Sequence, residues 1–178
     1  MNPATPLPSW DLFLGLFFVV GIAYGLVMQR DKVIVTMTAC YVAIVISQTF
    51  SDQLLSFFAG DKTLFNQIWI KSSASPLAVK TTIFLAVVAL ITSRSGLASR
   101  SSRSVMPPLE IIGHSFLNVT LVASSIFSFM PKEQQQAIAE ASKLAKIIIN
   151  FHIWWLILPV LLLLFTGYRR RNNTYDDY

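Results

Sequence analysis

Residues 10–58 read WDLFLGLFFVVGIAYGLVMQRDKVIVTMTACYVAIVISQTFSDQLLSFF, and this stretch decides the fold. Two apolar runs flank a short charged segment, Gln29-Arg30-Asp31-Lys32. At about 1.5 Å per residue, each run is roughly long enough to cross a bilayer core of about 30 Å. Because the charged segment is so short, it predicts the turn of an antiparallel helical hairpin. Its spans are placed at 10–28 and 33–50, the second extending to 58.

The composition agrees with a membrane protein. Of the 178 residues, 54% are hydrophobic and only 13% are charged, whereas soluble chains average about 25% charged. The length suits one integral membrane domain covering 1–178. The net charge of +5 comes from basic residues at the ends of apolar runs, which favours membrane orientation over nucleic-acid binding. The predicted partner is therefore the lipid bilayer, with no nucleic acid.

The N-terminus, MNPATPLPSW, has no Lys or Arg. It lacks the basic region of a signal peptide, so we expect the first apolar run to be retained as a transmembrane helix.

Three further spans are predicted at 77–93, 109–130 and 147–168. Between the second and third, residues 64–71 have Leu64, Phe65, Ile68 and Trp69 on one side of a short helix, which is typical of an interfacial helix. Pro131 ends the fourth span. No strong helix breaker separates 132 from 147, so we expect one helix over 132–168, about 55 Å long, with its first half outside the bilayer and a kink at Pro159.

The predicted fold class is therefore all-α. It is a polytopic transmembrane helical bundle of about five spans, with a short interfacial helix, a long protruding C-terminal helix and a polar tail at 169–178.

The basic residues predict the orientation. All arginines would lie on the side that holds the 29–32 turn, the loop after the third span and the tail, while the opposite side has only lysines. The positive-inside rule then places the N-terminus outside and the C-terminus in the cytoplasm. If the fourth segment were re-entrant, the arginines at 169–171 would instead face outward.

Small residues mark two candidate helix-packing faces. Gly21 and Gly25 lie four apart on the first span, where another helix could approach closely. On the second span, a stripe of small or weakly polar residues recurs at steps of three and four. It consists of Thr36, Cys40, Ala43 and Ser47, and continues to Ser51. A packing seam is the first interpretation of the stripe, and a polar pathway is the alternative.

The fourth segment carries the strongest polar pattern. Glu110, His114 and Asn118 are spaced four apart, and Ser125 continues the same face. Glu110 and His114 could pair across one helical turn, and ionisable residues in a membrane segment suggest a proton-linked or ligand-binding role. The alternative is capping or packing near the cytoplasmic headgroups, whereas Asp11 and His152 are expected near the outer interface.

Motifs of known chemistry are few. The sequence contains no HExxH, GxSxG, P-loop or GxGxxG, and Cys40 stands alone, as expected of a small buried hydrophobe. We assign no catalytic residue, no cofactor and no metal, and we do not expect an enzyme.

The order of features is similar to that of the CvpA (colicin V production) family. It includes Asp11 near the start of helix one, the basic-polar segment Arg30-Asp31-Lys32, a Ser/Gly-rich loop at 93–104 and Gly113-His114-Ser115-Phe116 in the fourth helix. Tyr24-Gly25 stands where that family has an Arg-Gly pair. The resemblance implies a bacterial inner-membrane protein connected with secretion or envelope function.

Two hypotheses follow. The first is a non-enzymatic accessory or assembly factor that contacts other membrane proteins or a second copy of itself. The second is a small channel or transporter subunit that uses the polar face of the fourth segment.

Overall fold

The structure, a computed structural model, describes residues 10–58, 75–94 and 108–173. The described residues form six helices and no strand, which confirms the all-helical prediction for this part of the chain. The helices are α1 (Trp10–Phe58), α2 (Pro76–Arg94), α3 (Pro108–Ser128), α4 (Lys132–Ala141), α5 (Lys143–Asn150) and α6 (His152–Asn173). The expected interfacial helix at 64–71 lies outside the described residues.

Four stretches of the described chain are long and apolar enough to cross a membrane. Two belong to α1, Trp10–Val27 and Lys32–Ser56, which we call its first and second arms; the others are Pro76–Arg94 and Glu110–Ser128. Counting α5 and α6 together as one bent span gives up to five. The outer surface fits a lipid environment, because side chains such as Leu16 (62% exposed), Val19 (65%) and Val27 (77%) would be costly in water.

The backbone of α1 shows which conformation the residues of the predicted turn adopt. Helical residues follow one another from Trp10 to Phe58 without a non-helical residue at 29–32. The polar residues at 48–53 do not interrupt the helix either, so α1 continues to Phe58, as the predicted extension of the second span to 58 requires. The turn predicted at the charged segment therefore contains no non-helical residue.

Contacts nevertheless require α1 to fold back between its arms. A Cβ at Gly21 would meet Val119, and Cys40 Sγ lies 3.8 Å from Oδ1 of Asn118, the neighbouring residue on α3. On a straight helix, Gly21 and Cys40 would be roughly 28 Å apart, too far for both to reach adjacent residues of α3. The predicted antiparallel pair of arms therefore exists, joined by a sharp bend within the helix.

The direction of each arm follows from its partners on α3. Gly21 faces Val119 and Gly25 faces Ser115, so the first arm runs antiparallel to α3. On the second arm, Cys40 contacts Asn118. Ala43, three residues later, shares a buried cluster with Leu121, which is later in α3, and with Phe129, which directly follows α3. The second arm therefore runs parallel to α3, and α3 lies in the groove between the arms.

The C-terminal helix is not continuous, so the prediction of one helix over 132–168 was wrong. Ser142 adopts an extended conformation (φ −142°, ψ 126°) that separates α4 from α5. Phe151 then separates α5 from α6, whose axes differ by 70°. The sharp bend lies at Phe151, and Pro159 lies inside α6.

Candidate functional site

The candidate site is the polar side of α3, the most buried span of the described chain. Half of its Glu110–Ser128 window is buried, against 11% for the first arm of α1 and for α2. It is also the least apolar of the four spans, with a mean hydropathy of 1.4. Polar side chains avoid lipid, so the helix richest in them occupies the centre of the bundle.

His114 is the most enclosed ionisable group on this face, with 1% of its surface exposed. Its Nδ1 lies 2.7 Å from the backbone carbonyl oxygen of Glu110, so Nδ1 carries the proton and donates. The predicted pairing across one turn therefore uses the main chain of Glu110. The Nε2 atom of His114 is buried and has no hydrogen-bond partner.

The hydroxyl groups of α3 are mostly bonded to their own helix. Ser115 donates to Ile111 and Thr120 to Phe116, and Ser125 donates to the carbonyl of Leu121 at 2.7 Å. Bonding to the carbonyl four residues earlier satisfies a hydroxyl without help from another helix. Ser125 thus lies on the predicted face, and its buried hydroxyl already donates a hydrogen bond within α3.

The remaining polar contacts of α3 reach neighbouring helices. The Cys40 thiol donates to Asn118 Oδ1 across 3.8 Å, a long sulfur contact. On another side of α3, Ser124 Oγ and His152 Nδ1 share a hydrogen bond of 2.6 Å. Asn118 and Ser124 therefore tie α3 to the second arm of α1 and to α6, respectively.

The predicted packing residues lie where helices meet. Gly21 and Gly25 face α3 so closely that a Cβ on Gly25 would lie 2.6 Å from Ser115 Cβ. On the second arm, Cys40, Ala43, Ser47 and Ser51 are fully buried, and Thr36 is half-buried with its hydroxyl bonded to the Lys32 carbonyl. The stripe thus faces the inside of the bundle.

A second polar cluster, absent from the predicted site, joins the start of α1 to the start of α5. Asp11 Oδ1 accepts a hydrogen bond from Ser142 Oγ at 2.6 Å and another from the Leu144 N–H at 3.1 Å. Ser142 Oγ in turn accepts from the Ala145 N–H at 3.0 Å. Two of the four N–H groups that a helix leaves unsatisfied at its N-terminus are thereby bonded.

The sequence offered only a partial signal for this cluster. Ser142 before a helix-forming run is a candidate N-cap, but it lies among strong helix formers that favour continuation. Asp11 was expected near the headgroups, and its partner lies 131 positions away. No local pattern relates two residues so far apart in the chain.

Tyr41 makes a further bond between distant segments. Its hydroxyl donates to the backbone carbonyl of Leu156 at 2.6 Å. Pro159 cannot donate a backbone hydrogen bond inside α6, so this part of the helix has a weakened ladder. The second arm of α1 thus supplies a donor to α6 near its proline.

Comparisons with known proteins do not assign this arrangement: no family model, no curated protein and no solved structure matches the chain.

Proposed function

We propose that this chain is a non-enzymatic multi-pass protein of a bacterial inner membrane, acting as an accessory or assembly factor in secretion or envelope function. The proposal rests on the hydrogen bonds that the polar groups at the centre of the bundle make. On α3, hydroxyls bond to their own helix, and Asn118 and Ser124 bond to neighbouring helices. The hydroxyls are thus satisfied within α3, while Asn118 and Ser124 link α3 to its neighbours, which supports a role exercised through the outer surfaces of the bundle. The resemblance to the CvpA family suggests the cellular setting.

The surface best suited to a protein partner is α4. No residue of α4 is buried, although Ile138 packs partly against the cluster around Leu14. At about 100° per residue, Glu133 lies roughly 140° and Ala137 roughly 100° from Ile138 around the axis of α4, and both are exposed. A ten-residue helix with so little burial receives little stabilisation from tertiary packing within this chain. A partner membrane protein or a second copy would supply the missing contacts.

A crosslinking experiment in native membranes tests this role. A photoreactive amino acid at Ala137 should give a discrete protein adduct, and Ala137→Arg at the same surface should prevent copurification of that protein. Val19, exposed on the first arm of α1, is the matched control position and should label lipid. If neither Ala137 nor Glu133 yields a protein adduct in native membranes, the accessory role through α4 is rejected.

The proposed orientation places the N-terminus outside and the C-terminus in the cytoplasm. It is supported by the distribution of arginines. It is also compatible with Asp11 and Ser142 being in contact, since both were expected on the outer side.

A small channel or transporter subunit is the second candidate, favoured by one observation. The buried Nε2 of His114 has no partner, and an unbonded imidazole nitrogen inside a membrane bundle can accept a proton or a hydrogen bond from a passing solute. Purified protein in liposomes should then conduct protons or small solutes, and His114→Ala with Glu110→Ala should abolish the flux. Flux that is unchanged by both substitutions would remove these residues from a pathway.

A further inference from the structure

Helix α5 has three distinct sides. At about 100° per residue, Ala145 and Ile148 fall on the side that faces the bundle, and both are buried. The next side is apolar but exposed, with Leu144 at 40% and Ile147 at 48%, and it continues to Phe151, the residue after the helix, at 51%. The third side is polar and exposed, and consists of Lys143, Lys146 and Asn150. An exposed apolar side bordered by lysines is the pattern of a helix in a membrane interface.

The polar side of α5 forms one wall of a groove. The groove has a volume of about 510 Å³ and lies between α4 and α5. Its lining consists of Gln136, Ala139, Glu140, Lys143, Lys146 and Asn150. Two ammonium groups and two amide groups provide donors for an anionic oxygen, while Glu140 on the α4 wall provides the single negative charge among the lining residues. The lining is therefore net positive.

The bundle fixes α5 at the level where the spans begin. Asp11, in the first turn of α1, bonds to Ser142 and to the Leu144 N–H at the start of α5. Trp10 and Trp154 are exposed at the starts of α1 and α6, and tryptophan concentrates at membrane–water interfaces. The groove thus lies at the level of lipid headgroups.

We propose that α5 and the α4–α5 groove bind an anionic phospholipid. The headgroup phosphate lies near Lys143 and Lys146 in the groove, and an acyl chain packs along Ile147 and Phe151. The exposed apolar side of α5 continues onto α6 through Ile153 and Trp154, which are also exposed. This continuity favours a lipid, since a free phosphate would leave the apolar side uncovered. The inference does not depend on the accessory role proposed above.

The test is a lipid titration of the full chain purified in a neutral detergent, followed by its thermal unfolding midpoint. Phosphatidylglycerol should raise the midpoint in a saturable way, whereas phosphatidylcholine and inorganic phosphate should not. Each lysine near an anionic lipid surface contributes roughly a fivefold gain in binding. Lys143→Gln with Lys146→Gln should therefore weaken the apparent affinity for phosphatidylglycerol about 30-fold, when each midpoint shift is measured from the same variant in detergent alone.

The matched control removes two lysines elsewhere, Lys80→Gln with Lys132→Gln, and should leave the phosphatidylglycerol affinity within about twofold of the original. Ile147→Ser keeps both lysines and should weaken phosphatidylglycerol binding by removing acyl-chain contact. An equal response to phosphatidylcholine, an equal response to inorganic phosphate, or full affinity in the Lys143/Lys146 variant would each overturn the proposal.

Discussion

At the scale of single residues, the packing of α3 depends on two glycines of α1. Ser115 and Val119 occupy the space that side chains at Gly25 and Gly21 would need. The atoms nearest to Gly25 belong to a short serine side chain and its backbone, which cannot move aside as the end of a long side chain could. Gly15 lies on the same arm with nothing within 4 Å of an added Cβ.

This contrast predicts opposite results for one substitution at two positions. Gly25→Ala should destabilise the bundle by about 1–3 kcal/mol, the usual cost of overpacking. Gly15→Ala should be neutral or slightly stabilising, because alanine favours helix over glycine. Thermal unfolding in detergent measures both. Equal effects of the two substitutions would show that α3 does not pack against Gly25.

At the scale of elements, the docking of α5 depends on an acid from another helix. Ser142 is the N-cap of α5, and its hydroxyl accepts a hydrogen bond from the Ala145 N–H. Asp11 bonds to both Ser142 and the Leu144 N–H. The cap therefore does two things: it begins α5 and attaches α5 to the start of α1.

Loss of the carboxylate should release this attachment. Asp11→Ala is expected to increase hydrogen–deuterium exchange at the amides of Leu144 and Ala145, because the N-terminus of α5 loses its external acceptor. Asp11→Asn keeps one oxygen acceptor and should give an intermediate increase. Asp52→Ala is the control on the same helix, because Asp52 accepts a hydrogen bond from its neighbour Ser51. Unchanged exchange in Asp11→Ala would contradict the role of Asp11.

The fold-back of α1 also belongs to the scale of elements, and a distance measurement between its two arms tests it directly. Spin labels at Phe13 and Gln53, both exposed, would lie about 60 Å apart on a straight helix. With the arms side by side, the expected separation is under about 30 Å, two to three helix diameters. Pulsed electron–electron double resonance on the full chain in nanodiscs distinguishes these values. A single population near 60 Å would refute the bend.

At the scale of the whole molecule, the proposed topology places the end of α2 and the start of α4 on opposite sides of the membrane. Ser93 and Gln134 are exposed positions at these two places, and the native Cys40 is buried. In cells, Ser93→Cys should therefore resist a membrane-impermeant thiol reagent, whereas Gln134→Cys should react. Labelling of both from the same side would rule out the five-span arrangement.

Much of the fold is readable from local pattern. The apolar runs place α2 and α3 close to their predicted ranges, because a hydrophobic run of bilayer length has few alternatives to a helix. The spacing of Glu110, His114 and Asn118 identifies the polar side of α3 for a similar reason, since residues four apart share a helical face. It does not show that His114 bonds to a backbone carbonyl.

The sequence by itself determined that this chain is apolar, helical and built from runs that suit a membrane. It also determined which helix carries the polar face, because composition and period are local properties. Only the tertiary structure decided that the predicted turn of α1 is made of helical residues, that Ser142 interrupts the C-terminal helix, and that Asp11 holds α5 against the bundle. Those features depend on contacts between residues far apart in the chain, where a side chain of one helix satisfies the backbone of another.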